Sequence, residues 1–121
     1  MGLRRGDARL TVDEELRVLW LTQGSQELAL SDDGVWLRSG RRAVDLEWQE
    51  IEQLQAVAIR GIRSGNRRRI EIFVRDGHVH VVGPFPSTDA ERWVKACARS
   101  AADGGRRAFP LEGAEGFAFR P

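Results

Sequence analysis

Apolar and polar positions along this chain alternate between strand and helix periods, and the elements they predict follow from those changes. From Leu16 to Thr22 the residues favour a strand, and Gln23-Gly24-Ser25 reads as a turn. Glu27 to Ser31 is a short strand, Asp32-Asp33-Gly34 a tight turn, and Val35 to Arg38 the returning strand. Asp-Gly between apolar runs marks a hairpin, because the turn needs a positive φ that glycine tolerates. Ser39-Gly40 gives another turn, with Arg41 to Leu46 as the next strand.

The segment Leu46 to Leu54 is ambiguous. Trp48, Ile51 and Leu54 lie three apart, which predicts one or two helical turns, and Val57-Ala58-Ile59 then predicts a strand. Arg60 to Arg69 holds two glycines and Asn66 and reads as a basic loop. Arg69 to Val74 and His78 to Val82 form a second hairpin across Asp76-Gly77. A two-residue turn there sets Arg75 opposite His78 and Phe73 opposite His80, leaving Ile70, Ile72, Val74, Val79 and Val81 on the core face. Gly83-Pro84-Phe85-Pro86 breaks the strand.

A helix follows. Thr88 and Glu91 match a capping box, and Ala90, Trp93, Val94, Cys97 and Ala101 form one apolar stripe. Asp103-Gly104-Gly105 stops it. The pattern predicts an α+β domain over residues 16–103: six to seven antiparallel strands, then one helix. Residues 1–15 read as a flexible arm and residues 104–121, without periodicity, as a flexible tail.

Composition narrows the class. The 121 residues fit one domain, and such a chain buries roughly two-thirds of its unfolded surface without disulfide or metal. At 41% hydrophobic and 31% charged residues the balance is globular. The single cysteine, Cys97, cannot form an intramolecular disulfide, which fits a reducing compartment. The polar beginning of the chain contains no apolar run of the signal-peptide kind, and no stretch approaches the roughly 20 apolar residues of a membrane span. A cytoplasmic location, with peripheral membrane contact as an option, is expected. The net charge of +1 excludes a polycation built for nucleic acid, and no nucleic-acid partner is expected. Of the 19 basic residues only Lys95 is lysine, either through codon usage or through retention of arginine for planar contacts with anions.

The order of strands closed by one amphipathic helix resembles the bacterial pleckstrin-homology-like (PH-like) domain family. Leu28-Ala29-Leu30-Ser31-Asp32-Asp33-Gly34-Val35 looks like its strand, acidic-Gly turn, strand opening, and Leu46 to Leu54 like its W-x-x-I element. Trp93 sits on the closing helix, where such domains often bury a tryptophan. The resemblance covers about Leu16 to Ala102. It implies a strongly bent antiparallel sheet or partly open barrel, plugged by the helix with Trp93 as its largest anchor. It also implies a binding module for lipid head groups, peptides or protein surfaces, without catalysis or cofactor. One departure counts against phosphoinositides: after Arg17, the turn region Thr22 to Glu27 has no basic residue.

Candidate site residues fall in three groups. Arg60, Arg63, Arg67, Arg68 and Arg69 form an anion- or lipid-binding candidate, against the plainer reading of a solvated loop balanced by Asp45, Glu47, Glu50 and Glu52. Phe73 and His80 on the supposed solvent face, with Phe109, Phe117 and Phe119 of the tail, are protein-interface candidates. His78 and His80 have a spacing metals use, but two ligands fall short of a zinc site, so no metal is expected. Cys97 lies on the apolar stripe and reads as a small buried hydrophobe. No catalytic motif is present. The leading expectation is a non-catalytic binding or scaffolding module for a protein or peptide, using a sheet edge, the helix groove or the tail, with homo-oligomerisation an option. The alternative is peripheral membrane association through the arginine-rich loop.

Overall fold

Alternation of side chains across strands builds two inner faces, and the helix closes the space between them. The computed structural model describes residues 9–13, 18–59 and 66–120. Within these residues ten strands and one helix succeed each other: β1 (Arg9–Asp13), β2 (Val18–Gln23), β3 (Gln26–Leu30), β4 (Gly34–Ser39), β5 (Arg42–Glu47), β6 (Ile51–Ala58), β7 (Arg67–Val74), β8 (Val79–Pro86), α1 (Ser87–Asp103), β9 (Arg107–Pro110) and β10 (Glu115–Arg120). They form two antiparallel five-stranded sheets, β1-β2-β3-β4-β5 and β8-β7-β6-β10-β9, so that ten strands stand where a bent sheet or partly open barrel of six to seven was expected, and the sheets do not close into a barrel.

The first sheet presents Leu21, Leu28 and Leu37 in one register row and Leu30, Val35 and Leu46 in the next, all buried. The second presents Leu54, Ile70, Ile72 and Val82, also buried. Strand β8 lies against β2, β3 and β4, and α1 lies against strands of both sheets. Trp93 of α1 is fully buried between them, with the rest of the predicted stripe.

The W-x-x-I segment is not helical beyond a single 3-10 turn at Trp48–Glu50. Ile51 and Leu54 both face the core because β6 is bulged between Ile51 and Gln53. One extra residue, Glu52, turns an odd spacing into a shared face. Trp48 links the sheets: its backbone N–H donates to the Asp33 carbonyl at 3.2 Å and its indole N–H to the Ser31 carbonyl at 3.2 Å.

The hairpin of β7 and β8 departs from expectation by one residue. The Gly77 N–H donates to the Val74 carbonyl at 2.9 Å, the Val74 N–H to the His78 carbonyl at 2.8 Å, and Gly77 has φ of 98°. That is a three-residue loop with a glycine bulge, not the two-residue turn the Asp-Gly pair predicts. Phe73 therefore pairs with Val79, and Ile72 with His80. A slip of one residue exchanges the faces of a strand. Val79 and Val81 become solvent-exposed, and His80 moves to the side opposite Phe73.

The capping box does not form. The helix begins at Ser87, so Thr88 lies inside its first turn, and no side chain caps it. Instead the Ser87 N–H donates to the Asn66 carbonyl at 2.7 Å. At the other end the Arg106 N–H donates to the Ala101 carbonyl and the Gly105 N–H to the Ala102 carbonyl, with Gly105 at φ 84°. This is the Schellman pattern.

Residues expected to be a flexible arm and tail include three of the strands. β1 pairs with β2, and β10 pairs with both β6 and β9. Gly116 permits the pairing with β6, since a Cβ there would lie 2.4 Å from the Leu54 carbonyl oxygen.

Candidate functional site: a tryptophan groove

The first sheet has a second face, opposite the core, and it carries the most distinctive cluster of side chains. Trp20, Ala29, Trp36 and Asp45 stand in one register row across β2, β3, β4 and β5. Each alternates with core residues on its own strand, so all four point away from the core. The two indoles meet over Ala29 with ring centroids 5.7 Å apart at 68°, edge to face. Ala29 beneath them is buried, whereas both tryptophans remain half-buried.

These residues line an open groove of about 760 Å³ that runs past the β3–β4 turn toward the end of α1. Its other walls include Val18, Asp32, Asp33, Glu47, Gln49 and Arg106. Gly34 lets β5 approach closely: a Cβ there would lie 1.9 Å from the Leu46 carbonyl oxygen. Glu47 lies two residues from Asp45 on the same face and accepts a hydrogen bond from the Gln49 amide. Asp45 has no ion pair or hydrogen bond from its side chain among the described residues. The Schellman turn holds Arg106 at the groove wall.

Of the arginine candidates, Arg67, Arg68 and Arg69 lie on β7. Arg68 Nε lies 3.3 Å from Glu91 Oε1, and its Nη1 donates to the Ala56 carbonyl. Arg69 Nε lies 3.1 Å from Glu71 Oε2. Arg67 is exposed and has no carboxylate partner among the described residues. Arg60 and Arg63 lie outside the described residues.

The aromatic candidates separate as well. Phe119 is buried against Trp48, with centroids 5.7 Å apart, and Phe117 packs on the core at the level of Leu54. Phe119 belongs to the interior, and Phe117 is half-buried at its margin. Phe109 is 43% exposed, with the Arg120 guanidinium 5.6 Å above its ring. Phe73 and Phe109 share the outer row of the second sheet, separated by Gln53 and Ala118. His80 is half-buried at the level of Ile72, its ring 6.5 Å from that of His78.

Cys97 is fully buried, and desolvation pushes its thiol well above the usual range, so it is a packed apolar group. Among the described residues, no group of three or more His, Cys, Asp and Glu side chains is arranged to hold a metal ion. No described helix is long and apolar enough to cross a membrane.

Motif reading passed over Trp20 and Trp36. The signal for them was alternation: Trp20 sits between Leu19 and Leu21, and Trp36 between Val35 and Leu37. A large aromatic in the outward phase of two strands is the pattern of a binding face. No family model, curated protein or solved structure matches this chain.

Proposed function

We propose that this chain is a non-catalytic binding module of PH-like plan that holds a protein segment on the outer face of its first sheet. Without β1, β9 and β10, two antiparallel meanders, β2–β5 in one sheet and β6–β8 in the other, precede the helix, in keeping with that plan. The observation that carries the binding reading is the half-buried Trp20–Trp36 pair over Ala29, which opens into a groove large enough for side chains of a partner. Tryptophan is enriched where interfaces concentrate their binding energy, because it joins large apolar area to a polar N–H.

The sheet edges offer less. Strand β10 occupies one edge of β6, β8 carries Pro84 and Pro86 without N–H donors, and β5 exposes Arg42, Asp45 and Glu47. Membrane association has weaker support. Glu91 and Glu71 offset the charges of Arg68 and Arg69, leaving Arg67 as the cation of that strand without a carboxylate partner among the described residues.

The test is selection of displayed random peptides on the wild-type chain, with counter-selection on Trp20→Ala/Trp36→Ala. The expected outcome is a set of peptides that bind the wild type and not the variant. A Trp20→Phe/Trp36→Phe variant, which keeps apolar packing over Ala29, serves as the folded control. Recovery of no tryptophan-dependent peptide would overturn the reading.

A further inference from the structure

We infer that the segment held in the tryptophan groove is basic, and that it inserts an arginine between Trp36 and Asp45. The inference rests on the binding reading above and adds the chemistry of the occupant. Among the described residues, Asp33, Asp45 and Glu47 bring three carboxylates to the groove lining against one guanidinium, that of Arg106. The molecule as a whole carries +1, so this acidic excess is local and not a property of the surface at large. Fields inside a concave, low-dielectric wall are focused, which selects an occupant of opposite sign.

Geometry narrows the cation to a planar one. Asp45 stands beside Trp36 in the register of β4 and β5, and directly opposed side chains lie about 5 Å apart at Cβ. An indole face is the strongest partner for a cation, and a carboxylate next to it accepts two parallel N–H bonds. A guanidinium satisfies both at once, whereas a lysine ammonium makes a point contact with one. Asp45 is available for the role, since no cation within the described residues pairs with it. Glu47 adds a second negative charge on the same side. Arg106 on another wall repels a second cation there and sets the register of the occupant.

The peptides from the selection are resynthesised with each arginine replaced by citrulline, which keeps the shape and removes the charge. Affinity is measured by fluorescence polarisation at low and physiological salt, against the wild type and Asp45→Asn/Glu47→Gln. The expected result is about a tenfold loss for citrulline and a similar loss for the double variant, with affinity falling as salt rises. The indole N–H signals of Trp20 and Trp36 should shift on titration while that of the fully buried Trp93, which does not line the groove, stays. Tryptophan-dependent peptides without arginine, or citrulline forms that bind equally, would overturn the inference while leaving the binding reading intact. Failure of the selection would remove both. Self-association of the wild type without peptide, abolished by Asp45→Asn, would replace the foreign segment with a second copy of this chain and so overturn the inference.

Discussion

At the scale of single residues, burial assigns the roles. Trp93 is fully buried, and its indole N–H has no hydrogen-bond partner among the described residues. Its contribution is therefore packing. Trp93→Ala should cost about 4 kcal/mol in urea denaturation, in line with other large core truncations. Trp93→Phe should cost clearly less, because it gives up part of the ring and no bond. Equal losses for the two would show that the N–H is satisfied in solution. The same accounting separates Trp48, whose N–H reaches the Ser31 carbonyl, and Trp20 and Trp36, whose rings stay half-buried. Four tryptophans thus take three roles, and residue type alone does not distinguish them.

At the scale of elements, local chemistry sets register. Asp76 accepts hydrogen bonds from the His78 backbone N–H at 2.9 Å and from the His78 ring, which lies 2.8 Å away. The backbone bond first, then the ring, holds the Asp76 carboxyl below its ordinary value. A carboxyl whose folded pKa is depressed contributes stability above its unfolded pKa of about 3.9, and that contribution is lost as pH falls through the folded value. Asp76→Asn should therefore lower the urea midpoint slightly at pH 5–7, and the difference from wild type should vanish near pH 2. A difference that persists at pH 2 would mean that the charge is not the cause. The hairpin also shows where legibility ended. Both strands and the turn between them were readable from Asp76-Gly77, but the loop took three residues instead of two, and Val79, His80 and Val81 took the opposite face. The bulge at Glu52 produced the opposite error, giving a strand the spacing of a helix.

At the scale of the whole molecule, the end of the chain completes the core. Phe119 packs on Trp48, and Arg75 donates to the Gln49 and Phe119 carbonyls at 2.8 Å and 3.0 Å, tying β10 to the β7–β8 turn. Phe119→Ala should cost about 4 kcal/mol and raise amide exchange across Glu115–Arg120 and in β6. Unchanged protection in β6 would show that the two strands open independently. The helix stripe, the order of strands β2 to β8 and the Asp-Gly turns were legible because they depend on short-range periodicity and turn chemistry. The tail strands were not, because Phe117 and Phe119 lack the flanking pattern of an independent strand and acquire it only from the edge of β6.

The sequence by itself determined that this is one α+β domain with hairpin-ordered strands, a helix carrying Trp93 inward, and a buried Cys97. Those properties follow from the period of apolar residues over a few positions. The tertiary structure decided the split into two sheets, the pairing of β1, β9 and β10, and the convergence of Trp20, Trp36 and Asp45. Residues 16 and 9 positions apart become neighbours only when β2, β3, β4 and β5 align in one register, and no local pattern encodes that distance.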